Sequence, residues 1–150
     1  MKITLTTLAL TTAMATSAVA QELPAEVKAR QGQFRIMAIN LGILGSMAKG
    51  ETEYSAEAAQ AAADSLVGVS MVNQAPLWPA GTDAMSIDGT RALPAIWENL
   101  PDVLDKWSAF GTAAAELQTV AATGQEALGP MLGKLGGACK ACHDTYREPQ

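Results

Sequence analysis

Histidine and cysteine are the scarcest chemistry-bearing residues in this 150-residue chain: one His and two Cys. Structural zinc needs about four ligands, and after Cys139, Cys142 and His143 no further Cys or His remains. Strand-like alternation is also missing, which removes the βαβ context that a redox Cys-x-x-Cys wants. A disulfide between positions three apart on a helix would be strained. Basic residues are few, 10 against 15 acidic, for a net charge of −5. Nucleic acid and anionic lipid surfaces are therefore poor partners. No internal repeat and no second apolar span of membrane length follows the N-terminus, so the mature protein is expected to be soluble, with no membrane partner.

The scarce residues are gathered in one place. Cys139-Lys140-Ala141-Cys142-His143 is the attachment pattern of a c-type haem. Two thiols add to the haem vinyl groups as thioethers, and the histidine after the second cysteine binds iron. On a helix the thiols point to one side and His143 lies one turn beyond Cys139, so all three meet one flat macrocycle.

Met1 to Ala20 reads as a secretory signal. Lys2 supplies a short basic start, Leu5 to Met14 an apolar region, and Ser17-Ala18-Val19-Ala20 a small-residue cleavage site. A membrane anchor is the alternative, but the apolar stretch is short and threonine-rich. Cleavage after Ala20 predicts a mature domain over 21–150 in an exported compartment, the periplasm in a Gram-negative cell. Losing Lys2 leaves nine basic against 15 acidic side chains, a net charge of −6. About 130 residues suffice for one domain with a real core.

The pattern predicts helix throughout. The first helix runs from Pro24 to about Lys49, with Gly50 as its stop and a stripe through Val27, Phe34, Ala38, Leu41 and Ala48. Ser55 is an N-cap for a second helix with Ala58, Ala62, Leu66 and Val69 inward. Pro76, Pro79, Gly81 and Gly89 mark a long loop from Asn73 to about Leu93, anchored by Leu77 and Trp78. A third helix starts near Pro94, carries Ile96, Val103, Trp107, Phe110, Ala114 and Leu117, and ends by Gly124, with a kink or break expected at Pro101. The last runs from Gln125 to Tyr146, with Leu128, Leu132, Leu135, Cys139, Cys142 and Tyr146 along one face. The expected fold is all-α: an antiparallel four-helix bundle with haem attached near its C-terminus.

Gly136 to Arg147 resembles the haem end of the cytochrome c′ family, the class II c-type cytochromes. Arg30-Gln31, Pro79-Ala80-Gly81-Thr82 and Pro94-Ala95-Ile96-Trp97 resemble its other landmarks in order and spacing. The resemblance covers essentially the whole mature chain. It implies one haem c per chain, with Cys139 and Cys142 attached and His143 on the iron. It implies that Phe34 stands over the open haem face, where related six-coordinate members put methionine. Phenylalanine cannot ligate iron, so the expected iron is five-coordinate and high-spin. It would bind NO or CO, with electron transfer to an unidentified redox partner as the broad family role. Met37, one turn further on, is the rival ligand; if it bound iron, the protein would be a six-coordinate His/Met electron carrier. The resemblance also implies that Arg30 and Gln31 meet a haem propionate, against a plain solvated helix face, and that Asp88 contacts the haem edge. Arg147 is expected near the imidazole or as a C-cap, Lys140 exposed, and Trp78, Trp97 and Trp107 in packing roles. A peroxidase-like enzyme needs a distal histidine or arginine, and no second histidine exists. The family is commonly dimeric through its first two helices. Met37, Ile43, Leu44, Met47 and Ala59, apolar beyond one stripe, fit a homodimer.

Overall fold

The computed structural model describes residues 22–149; the signal-peptide reading of 1–20 lies outside them. Five helices follow in order: α1 (Ala25–Ala48), α2 (Ala56–Ser70), α3 (Ala95–Glu98), α4 (Leu100–Val120) and α5 (Gln125–Tyr146). Among the described residues there is no strand, only an isolated antiparallel bridge between Ala92 and Arg147. No helix among them is long and apolar enough to cross a membrane. The four long helices close a ring, α1 beside α2 and α5, α4 beside α2 and α5. This is the expected four-helix bundle, with α3 a single turn in the crossing loop.

The helix ends obey local chemistry. Pro24 precedes α1, where its missing N–H costs nothing. Gly50, at φ +72, takes the left-handed turn that ends α1, and Gly50 N–H and Glu51 N–H donate back to Met47 O and Ser46 O. Ser55 accepts from the Ala58 N–H at 3.2 Å as the N-cap of α2. The break expected at Pro101 falls two residues earlier. Asn99 leaves helical geometry (φ −143, ψ 55), and Pro101 then sits in the first turn of α4, where its ring has no preceding carbonyl to strike.

The main core stacks Leu44, Leu66, Leu117, Leu128 and Leu135, all fully buried, each contributing about 2 kcal/mol. Ala59, Ala62, Ala63, Ala113 and Ala114 let the helix backbones approach between them. A smaller cluster of Ile96, Val103 and Tyr146 sits under the crossing loop, with Trp78, Trp97 and Cys142 packed on it.

One part of the expected pattern is shifted. The buried face of α1 is Val27, Arg30, Gln33, Met37, Leu44 and Met47. Of the expected stripe, only Val27 is among them. Phe34, Ala38 and Leu41 instead line a cavity. Met37, Leu44 and Met47 of α1 and Ala59 of α2, expected as surplus apolar surface, are core residues, because the face of α1 that carries the first three is turned into the bundle. The apolar surface left outside on α1 is Ile36, Ile39 and Ile43, of which Ile39 is 65% exposed.

Candidate cofactor site

A cavity of about 460 Å³ opens between α1, α4, α5 and the crossing loop. One wall belongs to α5. Cys139, Cys142, His143 and Tyr146 all line it, as their three-and-four spacing requires of one helical face. Both thiols are half-buried, and burial pushes their pKa up, keeping them protonated at neutral pH. His143 is moved the other way. Burial first, then the positive charges of Arg147 and Arg91, lower its pKa against a weak opposing pull from Asp144. Its imidazole is therefore held neutral, the form that binds a metal.

Tyr146 fixes the end of this wall. Its hydroxyl donates to Asp102 Oδ2 on α4 at 2.6 Å, and that bond raises the phenol pKa to about 12. Asp102 also pairs with Lys106 at 3.4 Å. The Leu93 N–H donates to Tyr146 O at 3.0 Å, the Glu148 N–H to Arg91 O at 3.0 Å, and the Arg91 guanidinium to Glu148 O. The crossing loop is thus stitched to the chain just past His143.

The opposite end of the loop is held by α1. Arg30 is only 2% exposed. Its guanidinium donates to Thr82 Oγ1 at 2.8 Å, Thr90 Oγ1 at 3.1 Å, Leu77 O at 3.3 Å and Thr82 O. It also lies 4.7 Å above the Trp78 ring. Burial lowers its pKa and the Asp83 charge partly restores it. Gln31 donates to Gly89 O at 2.6 Å. Gly89 has φ +83, the left-handed turn that favours glycine, and a Cβ there would press on the Leu23 side chain at 3.2 Å.

The α1 wall consists of Arg30, Gln31, Phe34, Met37, Ala38 and Leu41. Phe34 is 36% exposed and meets Trp107 edge-on, with centroids 6.2 Å apart. Met37 reaches the same wall but is 7% exposed and packed into the main core. Asp88 does not line the cavity; it is exposed on the loop, and Gly89 and Thr90 make the wall there. Lys140 is exposed and pairs with Asp144 at 2.5 Å.

Sequence reasoning missed the charge of this cavity. Arg30, Arg91, Lys106 and Arg147 line it, and no carboxylate does, in a chain whose net charge is negative. Each sits on a different element and carries no local signal. Trp78 and Trp107, expected only to pack, also line it. Trp107 Nε1 donates to Ser70 O at 2.9 Å, whereas the buried Trp78 Nε1 has no partner among the described residues. The residues present suit a large, flat, apolar group with an anionic edge, held by two thiols and an imidazole: haem c fits.

Known proteins agree with this arrangement. A family model described as Cytochrome C′ matches residues 25–147. Cytochrome c′ of Cereibacter sphaeroides is 40% identical over 135 residues, spanning 90% of this chain and 91% of its own. A solved cytochrome c′ from Rhodobacter sphaeroides superposes with a TM-score of 0.79 at 41% identity, covering 83% of this chain and 96% of that one. Another solved cytochrome c′, described by a ligand-controlled dimer dissociation, gives a TM-score of 0.74 at 32% identity over 83% and 95% of the two chains. With its four-helix bundle and its single Cys-x-x-Cys-His run on the wall of one cavity, the chain belongs to the cytochrome c′ family, a family of c-type haem proteins.

Proposed function

We propose that this chain is exported, carries one haem c through Cys139 and Cys142 with His143 on the iron, and binds NO or CO at the other axial position. Electron transfer with an unidentified redox partner is its wider role, and no catalysis is assigned to it. The observation that carries this reading is the α1 wall of the cavity, where Phe34, Ala38 and Leu41 offer no metal ligand. Met37 is the alternative ligand, and its place in the main core supports a packing role.

When bound, the haem supplies a ferrous iron that takes small diatomic ligands. The chain's residues do the rest. The α5 face presents the two thiols and a neutral imidazole together. Arg91, Lys106 and Arg147 supply positive charge suited to haem carboxylates, a role that Arg30 shares through its charge and Gln31 through its place on the wall, while their donors hold the loop. Phe34 narrows access, so a ligand enters only as its ring turns aside. Asp88 is left no wall contact from which to act.

Expressed with a haem-attachment system and exported, the protein should have the intact mass of residues 21–150 plus one haem. Its colour should survive acid–acetone extraction. The reduced protein should be high-spin and change spectrum under CO. Extractable haem would sink the attachment, an uncleaved chain the export, and a low-spin spectrum indifferent to CO the open site.

The dimer is proposed on Ile43, which the sequence suggested, together with Ile36 and Ile39. Ile36, Ile39 and Ile43 form an exposed stripe on α1, and covering it with a second copy removes it from water. Sedimentation equilibrium should show a dimer at micromolar concentration and a monomer for Ile39→Glu. A wild-type monomer at high micromolar concentration would refute it.

A further inference from the structure

Several side-chain donors around the α1 wall are engaged inside the protein, while Trp78 Nε1 has no partner among the described residues. Arg30 is spent on the loop, Gln31 on Gly89 O and Trp107 on Ser70 O. The most telling case is Gln74, which lines the cavity yet is buried. Its Nε2 donates to Gln33 Oε1 at 3.0 Å and to Val72 O at 3.0 Å, while its Oε1 accepts from Gln33 Nε2 at 2.8 Å. Both amide hydrogens are used, so nothing is left to donate into the cavity. Gln33 itself is buried, does not line the cavity, and lies on α1 between Arg30 and Phe34.

We propose that Gln33 is a specificity-determining positioning residue: by holding the Gln74 amide in a reciprocal pair, it keeps that amide from donating into the ligand cavity. A bound diatomic that is nearly apolar, such as CO, loses nothing by this. Bound oxygen, whose outer atom carries partial negative charge, loses a stabilising partner. Two buried amides beside an aromatic wall are costly unless satisfied, and pairing them with each other silences both. This inference rests on the gas-binding reading above.

The test uses the haem-loaded protein and the infrared C–O stretch of carbon monoxide bound to it. Gln33→Leu keeps the side-chain volume and removes the partner of Gln74. The freed amide should lower the C–O stretch, make it sensitive to deuterium oxide, and slow oxygen release after photolysis by about two- to tenfold. Gln74→Leu alone should leave the wild-type band where it is, and Gln33→Leu combined with Gln74→Leu should return the band to that position. A Gln33→Leu band unmoved from wild type, or one the double variant fails to restore, overturns the proposal. Should Gln33→Leu not fold, wild type and Gln74→Leu still decide: a C–O stretch that shifts in deuterium oxide in wild type and not in Gln74→Leu means the Gln74 amide already reaches the ligand, and the proposal falls. If no CO band forms at all, the open-site reading has failed instead, which separates the two.

Discussion

Replacing Arg30 with methionine is expected to destabilise the fold by about 3 kcal/mol or more, read as a lower urea midpoint at unchanged slope. Methionine preserves much of the buried stem but none of the donors. Thr82 O and Leu77 O would then be left without this partner, and each buried unsatisfied group costs about 1–3 kcal/mol. The guanidinium's stacking on Trp78 is lost too, so the crossing loop is released at both its start and its Thr90 turn. Arg30→Lys should recover little, because one ammonium cannot reach Thr82, Thr90 and Leu77 at once. Since the loop forms a cavity wall, the variant should also attach haem in lower yield. An Arg30→Met midpoint within error of wild type would show that the loop is held by its apolar anchors alone.

Why Arg30 was legible only as a surface or propionate-facing residue is instructive. Periodicity assigns polar residues to the outside, yet α1 buries Arg30 and Gln33 because their partners are Thr82, Thr90 and Gln74. Those lie 41 to 60 positions away, and no local window contains them. The same blindness rotated the expected α1 stripe: by periodicity Phe34 and Ala38 read as core, when they face the cavity, and only the family resemblance set Phe34 against the haem. The α5 face was readable for the opposite reason. Leu128, Leu135, Cys139, Cys142 and Tyr146 follow one unbroken period, and the chemistry of attachment is written in five consecutive residues. Pro101 announced an interruption, but steric exclusion acts on the turn before proline, so the break appears at Asn99. The cationic lining by Arg91, Lys106 and Arg147 needs the assembled fold, since it joins a loop, α4 and the chain beyond α5.

The Phe34→Met exchange should produce the largest functional change, converting a high-spin spectrum to a low-spin one. Phe34 stands on the α1 wall with part of its ring open to the cavity, so a thioether there is presented to whatever the cavity holds. Methionine sulfur favours ferrous iron, so the reduction potential should rise. CO would have to displace the sulfur, and an iron–sulfur contact stable by about 1.4 kcal/mol or more slows binding roughly tenfold or beyond. Phe34→Ala should act in the other direction, leaving the iron five-coordinate and speeding CO entry by removing the ring that closes edge-on with Trp107. Met37→Leu conserves volume in the core and should change neither spectrum nor CO kinetics. The three variants together discriminate between the axial assignments. If wild-type protein is low-spin and Met37→Leu makes it high-spin, Met37 is the ligand. The protein would then be a six-coordinate His/Met electron carrier, and gas binding would fall with the open site.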